Sequence, residues 1–140
     1  MRIFLIVFIL LLSRTSYSCS CIPLGEIDDE QYNEYEAIFS GKVIAIKKKQ
    51  WTKEVTFEIQ IRFKGIQKLS QIVITTSAQE GTCGISPKVG EQWLIFAYRE
   101  NEKLQTSLCT RTKSMNKKAW NYNKDELQKD IEFLNRKIRG

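Results

Sequence analysis

Histidine is absent from the 140 residues, and that absence excludes more chemistry than any other feature. Without it there is no Ser-His-Asp triad, no Cys-His dyad and no histidine zinc site. Asp28, Asp29 and Glu30 cluster, but no second acidic group stands out as a partner for paired-carboxylate catalysis. The trio reads as a solvated helix face. The chain is therefore not read as an enzyme, and no cofactor is expected. Internal repeats and low-complexity linkers are also lacking, and there are only two prolines and seven glycines. The one long apolar run, Ile3 to Leu12, is too short to cross a hydrocarbon core of roughly 30 Å as a helix.

What is present at the amino terminus is a secretory pattern. Met1-Arg2 is positively charged, Ile3 to Leu12 is apolar, and Ser16 and Ser18 put small residues three and one before Cys19. These are the n-region, h-region and cleavage site of a signal peptide over residues 1–18. Processing as a lipoprotein at Cys19 is the rival, but Ser16 stands where a lipobox wants an apolar residue. The expectation is a secreted, extracellular chain starting at Cys19, with no membrane association unless Cys19 is lipidated. Residues 19–140 suffice for one domain with a hydrophobic core. Without Arg2 and Arg14 the 22 basic residues fall to 20 against 16 acidic, a net charge of +4. So modest a charge favours solubility and gives no reason to expect a nucleic-acid partner. A monomer is expected.

All four cysteines, Cys19, Cys21, Cys83 and Cys109, survive cleavage. An even count in an exported chain reads as two disulfides. A bridge between Cys19 and Cys21 would close a strained, tiny ring, so each is expected to reach into the body of the chain. A four-cysteine zinc site usually draws its ligands from two close pairs, whereas Cys83 and Cys109 stand alone. Two bridges clamp the first three mature residues, Cys19-Ser20-Cys21, and Pro23 fixes one more backbone angle. Amino termini usually fray, so one held at positions one and three reads as a preorganised functional element.

Along the chain, Glu26 to Glu36 predicts a short helix. Ala37 to Ile46 predicts a strand bent at Gly41. Val55, Phe57, Ile59, Ile61 and Phe63 alternate with polar residues, the period-two mark of a half-buried strand. Ile72 to Thr76, Gln92 to Tyr98 and Leu104 to Thr110 predict three more strands, the last two joined by a turn at Asn101-Glu102-Lys103. Five strands with short turns suggest a small antiparallel barrel or sandwich. Thr112 to Lys118 reads as a polar, basic connector. Asn123 and Glu126 form a capping-box-like start, and Leu127, Ile131, Leu134 and Ile138 recur at helical spacing, predicting an amphipathic helix packed on the barrel.

The mature start Cys19-Ser20-Cys21-Ile22-Pro23 resembles that of the tissue inhibitors of metalloproteinases. Phe63-Lys64-Gly65 is similar to the aromatic-Lys-Gly after a long strand in that family, and Glu80-Gly81-Thr82-Cys83-Gly84 to its Glu-x-x-Cys-Gly connector. Cys109 stands where the partner of the third residue is expected. The likeness covers about residues 19–112, and 113–140 form a connector and terminal helix without a counterpart. The family's third disulfide in this domain and its cysteine-rich second domain are missing.

The resemblance implies a netrin-like fold: a mainly β, OB-type five-stranded antiparallel barrel with flanking helices. It implies Cys19–Cys83 and Cys21–Cys109 bridges. It also implies a function, inhibition of zinc metalloproteases. The amine and carbonyl of Cys19 would chelate the target's catalytic zinc, the one metal contact expected. Ser20 would face the S1′ pocket, and Cys21, Ile22, Pro23, Glu80, Gly81, Thr82, Cys83 and Gly84 would contact the protease. The alternative function is a secreted netrin-like module that binds a protein, a matrix component or a glycan without inhibiting a protease.

Overall fold

In the computed structural model, which describes residues 19–79 and 81–140, an irregular segment at 19–28 leads into helix α1, Asp29–Glu34. The signal-peptide reading of 1–18 lies outside the described residues. Helix α1 is shorter than the expected span because Asp28 caps it, its carboxylate accepting from the Gln31 N–H at 2.8 Å. Strands β1 (Ala37–Lys48), β2 (Thr52–Lys64), β3 (Gln71–Ser77), β4 (Gln92–Glu100), β5 (Lys103–Gln105) and β6 (Lys113–Ser114) follow, then helix α2 (Lys124–Arg139). No described helix is long and apolar enough to cross a membrane.

Five strands close a barrel in the order β1-β2-β3-β5-β4, with β4 returning to β1. Closure runs from Ala37 opposite Ala97 to Lys42 opposite Gln92. The fold is thus mainly β, an OB-type barrel with a C-terminal helix packed outside it. Strand β4 is apolar on both faces because both are covered. Trp93, Ile95 and Ala97 point into the barrel with Phe39, Val43, Val55, Phe57 and Ile74. Leu94 and Phe96 point out, where Ile38, Tyr35, Phe63, Leu127 and Leu134 form a second core beneath the helices. Burying one such side chain stabilises by about 1.5–3 kcal/mol.

Strand β1 bends where expected: its register with β2 shifts between Ser40 and Gly41, and the opposing positions jump from Ile61 to Ile59. A second shift, between Ile38 and Phe39, passes over Phe63. These irregularities interrupt the simple alternation of β2. Val55 and Phe57 face the barrel interior, Ile61 is half exposed, and Phe63 joins the outer core. Gly65 ends β2 at φ +75°, and a Cβ there would overlap the Glu36 carbonyl.

The expected strand Leu104 to Thr110 is cut to β5. Beyond Gln105, threonine hydroxyls take over from the ladder: Thr106 Oγ1 donates to the Phe96 carbonyl at 2.9 Å, and the Phe96 N–H donates to Thr112 Oγ1 at 2.9 Å. Cys109 therefore sits in a turn. The connector expected at 112–118 contributes the sixth strand, β6, against Trp93 and Leu94 of β4. Helix α2 begins as expected, with Asn123 Oδ1 accepting from the N–H groups of Asp125 and Glu126. Acids in its first turn and bases in its last complement the helix dipole.

Candidate functional site

The segment that starts at Cys19 is held by covalent bonds. Cys19 is bridged to Cys83 and Cys21 to Cys109. The two receiving segments are themselves joined, since the Leu108 N–H donates to the Cys83 carbonyl at 2.7 Å. All four sulfurs lie within 4.8 Å of one another. With both pairs oxidised the cluster offers no thiolate to a metal, so its order comes from the bridges.

Between and beyond these bolts the chain projects. Ser20 and Pro23 are exposed, and Ile22 is 85% exposed. Of the connector, Gly81 and Thr82 are exposed while Cys83 and Gly84 are half-buried. Glu80 lies outside the described residues. Thr82 Oγ1 donates to the Gln79 carbonyl at 2.6 Å and meets Ser77 Oγ at 2.6 Å, so its hydroxyl is engaged in shaping the loop. A Cβ at Gly84 would run into the Ser77 carbonyl; only glycine lets the connector lie flush against β3. The structure thus brings Cys19, Ser20 and Cys21 beside Cys83 and Cys109, with Gly81 and Thr82 adjoining through the connector.

A cleft of about 720 Å³ runs along the other side of the terminal segment. Ile22, Leu24, Cys109, Arg111 and Trp120 are among the residues that line it. Trp120 is 82% exposed. At its floor lies a polar hub that the sequence reading did not single out. Arg111 is 6% exposed. Its Nε and Nη2 donate to Asp130 Oδ1 at 3.1 and 2.7 Å. Its Nη1 donates to the Gly25 carbonyl at 2.9 Å and to Gln31 Oε1 at 2.8 Å. Gln31 Nε2 in turn donates to the Leu24 carbonyl at 2.7 Å. Asp130 is fully buried, and its second oxygen faces Lys113 Nζ at 2.8 Å. At the surface, Lys129 pairs with Glu26 at 2.6 Å and holds that carboxyl below its ordinary range. One signal for the hub was in the sequence: Asp130 falls three residues after Leu127, inside the apolar stripe of α2.

The site is a bridged, exposed segment, residues 19–23, beside a mixed apolar and polar cleft. It can present backbone groups and small side chains to a partner, and no catalytic constellation is built around it among the described residues. Comparison with known proteins matched no family model and no curated protein.

Proposed function

We propose that this chain is a secreted inhibitor of zinc metalloendopeptidases, built like a minimal tissue inhibitor of metalloproteinases and acting through the amine and carbonyl of Cys19 once residues 1–18 are removed. The observation that carries the reading is the terminus itself. Its first and third mature residues are bridged to a closed barrel, while Ser20 and Ile22 stand exposed. Conformational entropy that a free terminus would lose on docking is already lost.

The chemistry follows from the target's metal. A catalytic zinc keeps a position open for water. An α-amine and its own carbonyl form a five-membered chelate and displace that water. With an ordinary α-amino pKa of about 7.7–8.0 the amine is mostly protonated at pH 7; it gives that proton up to solvent as it binds, at a cost of roughly 1 kcal/mol, and the metal lowers its pKa further. Ser20 then enters the S1′ pocket, and Ile22 and Pro23 continue along the cleft in place of substrate. Gly81 and Thr82 form the neighbouring ridge. The bridges keep the segment from being cut and released as a substrate would be.

The test is titration of the protein processed to Cys19, its mass confirmed intact, against a panel of zinc metalloendopeptidases. Stoichiometric inhibition of at least one supports the reading. Absence of inhibition across the panel favours a netrin-like module that binds another protein, a matrix component or a glycan.

A further inference from the structure

We infer that Arg111, fixed by Asp130 of the C-terminal helix, is the positioning residue for the terminal wedge. The inference rests on the inhibitor reading for its functional consequence, though not for its structural one. Besides the Cys19–Cys83 bridge and the surface Lys129–Glu26 pair, the stretch from Cys21 to Gly25 has an anchor at each end. The covalent one is the Cys21–Cys109 bridge. The polar one comes two residues later in the same turn, where Arg111 holds the Gly25 carbonyl and, through Gln31, the Leu24 carbonyl. Residues 22–24 span these anchors, with Ile22 85% exposed and Leu24 38% exposed. The disulfide fixes one end of this stretch; its course depends on the other.

Only arginine can serve both sides. Its planar fork has five N–H donors, and Nε and Nη2 are spent on Asp130 while Nη1 reaches Gly25 and Gln31. Asp130 belongs to α2 and is oriented from its far side by Lys113. The terminal helix is therefore a brace behind the wedge, acting through a carboxylate in its apolar face. If the wedge samples its docked geometry a tenth of the time, apparent affinity falls about tenfold.

Two variants separate bracing from folding. Arg111→Lys keeps a cation for Asp130 but has all three N–H donors on a single nitrogen, so it loses the separate nitrogen that reaches Gly25 and Gln31. The triple change Arg111→Met, Asp130→Leu and Lys113→Met replaces the buried ion triad with apolar groups of similar size, a replacement often neutral or stabilising. Backbone ¹⁵N relaxation is measured on both, together with inhibition of a susceptible metalloprotease. The expected result is that order parameters at Ile22, Leu24 and Gly25 drop from about 0.85 to below ~0.6. The barrel strands stay unchanged, and the inhibition constant rises about tenfold or more. Unchanged order parameters in both variants overturn the inference. So does a loosened wedge that inhibits as tightly as the native one. If the native protein inhibits nothing, the inhibitor reading fails by itself, and relaxation still decides whether Arg111 braces the segment.

Discussion

At the scale of single residues, positions that shape the wedge differ from those proposed to meet a target. Ser20 is exposed and flanked by bridged cysteines. Ser20→Gly should leave the melting temperature unchanged within a degree or two, because a surface change of this kind costs within about 0.5 kcal/mol. It should weaken inhibition of several proteases, with inhibition constants as the check. Equal inhibition by the variant means that Ser20 points away from the S1′ pocket. Gly65 is the opposite case, remote from the wedge and strict in its demands. At φ +75°, with the Glu36 carbonyl where a Cβ would go, Gly65→Ala should cost more than about 2 kcal/mol, from left-handed backbone strain plus overlap. Denaturant unfolding measures it; a loss under ~0.5 kcal/mol would show that the β2 end yields easily.

At the scale of elements, legibility followed periodicity. The alternation at Val55 and Phe57 and the break at Gly41 were readable because local pattern and burial agree there. Leu127 and Leu134 did go inward, but Ile138 is 51% exposed, one turn beyond the barrel's cover. Strand β5 was overextended because apolar spacing cannot show that Thr106 and Thr112 side chains satisfy Phe96 in place of a strand. Strand β6 was hidden because a lysine reads as solvated, whereas Lys113 is buried against Asp130. Long-range pairing of charges leaves no mark in a local pattern. For the same reason the polar half of the site, Arg111 with Gln31, went unseen, while the cysteine-bounded terminus was plain in the sequence.

The surface pairs that tie elements together carry a pH dependence. Hydrogen bonding to Lys129, Arg99 and Lys49 lowers the carboxyls of Glu26, Glu36 and Glu54. A depressed folded-state pKa means that the stabilisation is fully present above the unfolded value of about 4.3 and is lost as pH falls through the folded value. The melting temperature should therefore hold steady from pH 7 to about 5 and decline below ~4. The Glu26 and Glu36 pairs are exposed and Glu54 is only partly covered, so the decline should be small and should shrink in added salt. Thermal scans against pH at two ionic strengths check this. Stability that rose on acidification would contradict the ion-pair assignment.

At the scale of the whole molecule, two long-range bridges tie the segment from Cys19 to a closed barrel with an outer core. Closing loops of 64 and 88 residues contributes roughly 4 kcal/mol each in the chain-entropy model, but their placement matters more than their sum. Both end within the three residues Cys19-Ser20-Cys21, the proposed mature start, where stability alone would not require them. The most direct measurement is therefore made at that end: one alanine added before Cys19. The addition leaves both bridges and both cores untouched, so melting should shift by no more than a few degrees. The Cys19 nitrogen, however, becomes an amide, no longer a basic donor, and the extra residue fills the space around the zinc. Loss of a desolvated contact at the centre of an interface costs several kcal/mol, and each ~1.4 kcal/mol is tenfold in affinity. The account predicts at least about a hundredfold weaker inhibition by a protein that remains folded. An extended protein that inhibits as well as the native one would contradict zinc chelation by Cys19.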